Sequence, residues 1–162
     1  MKILAIDPGY DRLGIAVVEG DPSKPMLIWS DCVTPAKREV AERLAAVAHA
    51  VVEAIAAHRP DALAIETLFF SKNVKTALGV AEARGAILAV AGAAALPVVE
   101  CSPQEVKIAV TGYGSADKKA IELMVPKLLN LPLSPAGGKR RDDELDAIAV
   151  GIAALASAPV RR

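Results

Sequence analysis

The chain has 162 residues, 53% of them apolar and only 3% aromatic, with 19 Lys plus Arg against 19 Asp plus Glu. That length and apolar content suit one globular domain around a single aliphatic core and exclude a disordered chain. Zero formal net charge excludes a globally basic nucleic-acid binder, though not a locally basic one, and two Cys with two His are too few for a disulfide framework, a Cys-based zinc site or most His-based catalysis.

Three strands are predicted first: Lys2 to Asp7, ended by Pro8-Gly9; Leu13 to Glu19; and Met26 to Val33, after Gly20-Asp21-Pro22. Their spacing and turn residues suggest an antiparallel meander. A helix from about Ala36 to His58 follows, with Val40, Leu44, Val47, Val51, Val52 and Ile55 at helical spacing, and Pro60-Asp61 stops it. Ala62 to Glu66 is a short apolar strand ending in an acid. Ser71 to Ala95 reads as a second long helix, whose Gly79, Gly85 and Gly92 permit a close approach by the protein's own sheet or by a second copy of the chain. Leu96 to Glu100 is the fifth strand. Ser102 and Pro103 are an N-cap and a first helical residue for a short helix through Val110. A Thr111 to Ser115 turn, a helix from Asp117 to Leu129, a Pro/Gly/basic loop from Leu131 to Arg141 and a helix from Asp142 to Ala156 complete the order. His49 and His58 are expected on a helix surface, and Cys32 and Cys101 as partly buried thiols. The longest apolar run, Ala86 to Val99, spans fourteen residues and contains a proline. A membrane span needs about 20, and with no signal peptide in the first residues the expected compartment is the cytoplasm.

Two acids sit where an apolar strand meets a loop: Asp7 and Glu66. Acids often begin turns. If the two strands are neighbours, however, the carboxylates converge at one end of the sheet and repel unless a cation lies between them. Asp143 and Asp146, three apart at the start of the last helix, share one face. Helix capping accounts for Asp142, Asp143 and Glu144. It accounts less well for Asp146, which leads into apolar Ile148-Ala149-Val150. Four carboxylates without His or Cys make an all-oxygen site suited to Mg2+, with Mn2+ as a substitute. Two such ions about 4 Å apart serve phosphodiester hydrolysis.

Seven short stretches, in this order and spacing, resemble the RuvC-type Holliday-junction resolvases: Ile6-Asp7-Pro8-Gly9, Ala64-Ile65-Glu66, Phe69 with Lys72-Asn73, Glu82-Ala83-Arg84-Gly85, Gln104-Glu105-Val106-Lys107, Gly112 to Lys118, and Asp143-Glu144-Leu145-Asp146-Ala147. The resemblance implies an α/β ribonuclease H-like fold, a five-stranded mixed sheet flanked by helices, over residues 1–158, with 159–162 a short tail. It further implies a metal-dependent endonuclease with Asp7, Glu66, Asp143 and Asp146 as its acidic set and two Mg2+ ions per site. The substrate implied is four-way junction DNA, cut symmetrically by a homodimer to leave 5′-phosphate and 3′-hydroxyl ends, beside a branch-migration motor complex and without a membrane partner. Asp142, next to Asp143, is a candidate assistant to it.

The charge is unevenly spread. Residues 1–66 carry 7 basic and 10 acidic side chains, residues 67–141 carry 10 and 5, and the remainder 2 and 4. The positive excess lies between the second and third site acids, where a phosphate backbone would be held. Single surface lysines are ordinary; Lys72, Lys107 and Lys118 stand out because they fall in the family's motifs. Lys107 and Lys118 flank the Gly112–Gly114 turn, whose backbone N–H groups can approach a phosphate, and Lys118 is also placed to stabilise developing negative charge. Phe69-Phe70 supplies two of five aromatics, either as an apolar plug on the following helix or as a ring that stacks on an unpaired base; the resemblance assigns the stacking to Phe69. Two other classes stay open on residues alone. An actin-like ATPase or sugar kinase would use Asp7-Pro8-Gly9 and Gly14 as a phosphate hairpin, but normally needs two such domains. A non-catalytic junction binder would lack a metal ligand.

Overall fold

The structure, a computed structural model, describes residues 1–9, 11–35, 39–68, 74–129, 131 and 141–157. The elements are β1 (Lys2–Pro8), β2 (Leu13–Asp21), β3 (Lys24–Val33), α1 (Val40–His58), β4 (Ala62–Glu66), α2 (Val74–Ala93), β5 (Val98–Cys101), α3 (Pro103–Thr111), α4 (Lys118–Leu128) and α5 (Asp142–Ser157). They form one five-stranded sheet of order β3-β2-β1-β4-β5. β1, β2 and β3 pair antiparallel, while β4 and β5 run parallel to β1. This is the α/β ribonuclease H-like arrangement: a hairpin meander on one side and strand–helix–strand crossovers on the other.

Strand alternation divides the core into two layers. Leu4, Ile6, Leu13, Ile15, Val17, Leu63 and Ile65 face α1 and α2, where Val47, Val51, Ala54, Ile87 and Ala91 close over them. The opposite face is lined by smaller residues, Ala5, Ala16, Ala62 and Ala64 among them, and α5 lies on it with Ala147, Gly151 and Ala154. Small residues on both sides let the helix sit close. A Cβ at Gly14 would run into the Asp143 carbonyl, and one at Gly151 would lie 2.7 Å from Val18 Cγ2. The abundance of alanine in the sequence has its physical reason here.

Several sequence expectations are corrected. The described part of α1 starts at Val40, residues 36–38 lying outside the described set, and its buried stripe is Val47, Val51 and Ala54, while Val40 and Val52 are about half exposed at 51% and 49%. α2 ends at Ala93, not Ala95, because Ala95 takes φ 51°. The fifth strand starts two residues later and ends one residue later than expected, at Val98–Cys101, with Cys101 opposite Glu66. Of the α2 glycines, Gly79 is buried near α1, whereas added Cβ atoms at Gly85 and Gly92 would meet open space. His58 is not merely a surface residue: it stacks on Trp29, with ring centroids 5.1 Å apart. Cys101 is fully buried and Cys32 partly so. α3 carries the expected Ser102 cap in a full capping box, with Glu105 returning the bond. The tail 159–162 and the loop 132–140 lie outside the described residues.

Candidate active site

The two-layer alternation places the acids. In β1, Ile3, Ala5 and Asp7 share a face; in β4, Ala62, Ala64 and Glu66 do. The parallel register sets Ile6 beside Ile65, so Asp7 and Glu66 leave neighbouring strands side by side, on the face that α5 covers. Asp7 is also paired with Gly14 of β2, the glycine over which α5 begins. That close seat brings the first two turns of α5, with Asp143 and Asp146, over the ends of β1 and β4. Ser30 Oγ donates to Glu144 at 2.6 Å and holds the helix start against β3.

A cleft opens at this end of the sheet. Asp7, Glu66, Asp117, Asp146, Lys107 and Lys118 line it over an apolar floor that includes Val106, Ile121 and Val150. α4 supplies Lys118 as its first residue, its N-terminus capped by Asp117, whose Oδ1 accepts from Ala120 N–H at 2.9 Å. Lys118 Nζ donates to Asp146 Oδ2 at 3.1 Å and lies 4.0 Å from Asp142 Oδ2. Asp143 lies at the rim instead. Its Oδ2 is 3.0 Å from Arg12 Nε and 3.9 Å from Cys32 Sγ. Among the described residues no three Asp, Glu, His or Cys side chains are gathered into a ready-made ion cage.

The electrostatics of the cleft are those of crowded acids. Burial first, then the charges of Asp146, Glu66 and Asp143, push the Asp7 carboxyl from its ordinary 3.8 up to about 7, against a smaller opposing pull from Lys118. Glu66 is raised by burial and by Asp146, with Lys107 opposing. Asp146 is raised by burial, although its bond from Lys118 pulls the other way. Burial works against the Lys118 charge, yet its bond to Asp146 and the surrounding acids hold its pKa above the ordinary value. Charged carboxylates with this much mutual repulsion and desolvation are suited to a divalent cation, and oxygen donors alone select a hard one.

Of the residues singled out from sequence, the structure brings Asp7, Glu66, Asp146, Lys107 and Lys118 to one cleft and Asp143 to its rim. Lys107 lines the cleft close enough to Glu66 for its charge to pull the Glu66 pKa down. Asp142 is half exposed and turned toward Lys118. Phe69 and Lys72 lie outside the described residues. Sequence reasoning missed three participants. Arg12 holds Asp143. Arg84, on α2, donates from Nε to the Glu66 carbonyl at 3.4 Å and pairs with Glu100. Arg141 bonds Thr34 Oγ1 at 3.1 Å beside Cys32. Arg84 sat inside a matching motif; Arg12 and Arg141 carried no signal beyond being cations near site acids.

Residues 3–154 match the family described as crossover junction endodeoxyribonuclease RuvC. A crossover junction endodeoxyribonuclease RuvC of Syntrophomonas wolfei is 41% identical over 158 residues, covering 97% of this chain and 90% of that protein. The structure of T. thermophilus RuvC in complex with Holliday junction substrate superposes with a TM-score of 0.86 at 33% identity, covering 94% of this chain and 92% of the other. The yeast mitochondrial Holliday junction resolvase Ydc2 shares the fold at 10% identity, with a TM-score of 0.70 over 94% of this chain and 78% of its own. With the acids of two neighbouring strands and one helix at a single sheet end, and a match along nearly the whole chain, the protein belongs to the RuvC family of crossover junction endodeoxyribonucleases.

Proposed function

We propose that this protein resolves four-way DNA junctions by paired, symmetric phosphodiester hydrolysis, leaving 5′-phosphate and 3′-hydroxyl ends, in DNA recombination and repair. The observation that carries this reading is the convergence of Asp7 and Glu66, from adjacent parallel strands, with Asp146 and Lys118 in one cleft. The all-oxygen donor set fits a divalent cation: Asp7, Glu66, Asp143 and Asp146 would hold Mg2+, or Mn2+ in its place, as two ions per site. Bound there, the ions supply Lewis acidity toward the scissile phosphodiester and neutralise charge on its oxygens. Asp7, repelled by each of the other three acids, would be relieved most by a cation held among them.

The chain's own groups do the rest. Lys107, beside Glu66, takes a backbone phosphate. Lys118 keeps its proton and is placed to leave Asp146 for the charge that develops on the phosphoryl oxygens. Phe69 follows Glu66 by three residues and is proposed to stack on an unpaired base at the crossover, with Lys72 on the neighbouring phosphates. Paired cuts need two sites, and α2 leaves Leu78, Glu82, Gly85, Ala89 and Gly92 exposed at heptad-like spacing, a small-residue face that supports a two-fold homodimer. Among the described residues no helix is long and apolar enough to cross a membrane; the proposed setting is the cytoplasm.

The test is incubation with a synthetic four-way junction with and without Mg2+ or Mn2+, with ATP hydrolysis followed in parallel. Symmetric nicks that require the cation, no cutting of plain duplex and no ATP hydrolysis are the expected result. Glu66→Gln and Asp146→Asn should bind the junction without cutting it. ATP turnover, or cutting that survives these substitutions, would overturn the assignment.

A further inference from the structure

The Asp143 carboxylate is engaged by an arginine, Nε of Arg12 lying 3.0 Å from its Oδ2. The two sides of the pair are unequal: the Asp143 side chain is 18% exposed and that of Arg12 53%. The guanidinium therefore reaches in from the β1–β2 turn to a sheltered carboxylate while much of it stays in solvent. The turn fixes where it starts, since Gly9 packs against the Arg12 carbonyl too closely for any Cβ and Leu13, the next residue, is fully buried. Arg141, by contrast, spends its guanidinium on Thr34 Oγ1, 3.1 Å away, and on Cys32 Sγ, 3.9 Å away.

A carboxylate oxygen that accepts from a guanidinium is a poorer ligand for a divalent cation, because both positive groups draw on the same lone pairs and repel each other. A guanidinium that is half exposed leaves at little cost. Its alternative partner at the rim of a DNA-cutting cleft is a backbone phosphate, whose oxygens match the guanidinium fork as well as a carboxylate does. We infer that Arg12 is a positioning residue that masks Asp143 in the DNA-free protein and passes to a backbone phosphate when DNA is seated, so that Asp143 becomes available to the cation only on DNA. The inference rests on the reading of Asp143 as a cation ligand, and the experiment separates the two.

Mn2+ is titrated into DNA-free protein, with the free ion followed by electron paramagnetic resonance, for the wild type, Arg12→Gln, Arg141→Gln, Asp143→Asn and the Arg12→Gln/Asp143→Asn double variant. Arg12→Gln should bind Mn2+ about two- to fivefold more tightly than the wild type, the range of a part-exposed ion pair. Arg141→Gln, which removes an equal charge from the same rim, should gain less, and the gain from Arg12→Gln should vanish in the Asp143→Asn background. Equal gains from both arginines, or a gain that survives without Asp143, would mean that only the local charge had changed and would overturn the inference. Junction cutting by Asp143→Asn at the wild-type rate and with the wild-type Mn2+ dependence would instead overturn the ligand reading beneath it. Junction binding in EDTA tests the transfer to phosphate. Arg12 is on phosphate in the seated complex, so Arg12→Gln should flatten the dependence of log affinity on log salt by about one unit, while Asp143→Asn should keep the wild-type slope. An unchanged slope in Arg12→Gln would overturn the phosphate step.

Discussion

Replacing Asp7 by Asn should make the cation-free protein more stable, by an amount that depends on pH. The carboxyl of Asp7 is pushed from 3.8 to about 7 by burial and by Asp146, Glu66 and Asp143. The folded protein therefore binds more protons at this site than the unfolded chain does between those two values, and stability falls as pH rises through that window. Each decade is worth about 1.4 kcal/mol. At pH 8 the charged Asp7 costs the fold about 4 kcal/mol, and at pH 5.5, where the folded carboxyl is still protonated, about 2 kcal/mol. Asn removes the charge at every pH, so Asp7→Asn should gain about 4 kcal/mol on the wild type at pH 8 and about 2 kcal/mol at pH 5.5, less what its buried amide loses for want of partners. Urea denaturation in EDTA at the two pH values measures both differences, and Mg2+ or Mn2+ should narrow the gap at pH 8 by stabilising the wild type more than the variant. A variant no more stable than the wild type at pH 8, or a gap that does not narrow toward pH 5.5, would refute the account of Asp7 as a charge held against its surroundings for a cation.

Four further outcomes are expected. Lys118→Ala should lower the cutting rate of a bound junction at least about tenfold while changing junction affinity less than about threefold, since it is assigned to transition-state charge; an equal loss in both would make it an anchor. Lys107→Ala should flatten the salt dependence of junction binding by about one unit of slope, and an unchanged slope would remove it from the DNA surface. Gly14→Ala should lower stability by about 1–3 kcal/mol and weaken Mn2+ binding, because its Cβ meets the Asp143 carbonyl and the start of α5 must move; an unaltered melting temperature and Mn2+ affinity would show that α5 does not depend on that seat. Phe69→Ala should keep its fold and most junction affinity but cut slowly, with partial rescue by unpaired bases at the crossover, since stacking is worth about 1–3 kcal/mol per base; if Phe70→Ala shows this behaviour instead, the neighbouring ring is the wedge.

The order of elements was legible in the amino-acid sequence, and so were three of the acids that meet in the cleft. Asp7 and Glu66 announce themselves because a charge that ends an apolar strand departs from the pattern of its own neighbours, and Asp146 because it leads straight into an apolar helix. Caps and turns were legible for the same reason: Ser102, Pro103 and Glu105 act within a few residues of one another, where local sequence and local structure coincide.

What the tertiary structure alone decided was the pairing of groups far apart in the chain. The two-residue alternation of β1 and β4 gives each acid a face, but only the register of Ile6 with Ile65, and the choice of the small-residue face by α5, put Asp7, Glu66 and Asp146 on the same side. Gly14 reads in the sequence as a strand glycine or part of a phosphate hairpin, and its role as the seat of α5 shows only in the fold. Arg12 and Asp143 lie at opposite ends of the chain, as do Ser30 and Glu144, and nothing in the periodicity around any of them records its partner. Periodicity encodes which side of an element is buried. Which charges meet across the closed fold is set by packing, where the volumes of Ala5, Gly14, Ala147 and Gly151 settle how near α5 comes to the sheet and hence which side chains its first turns can reach.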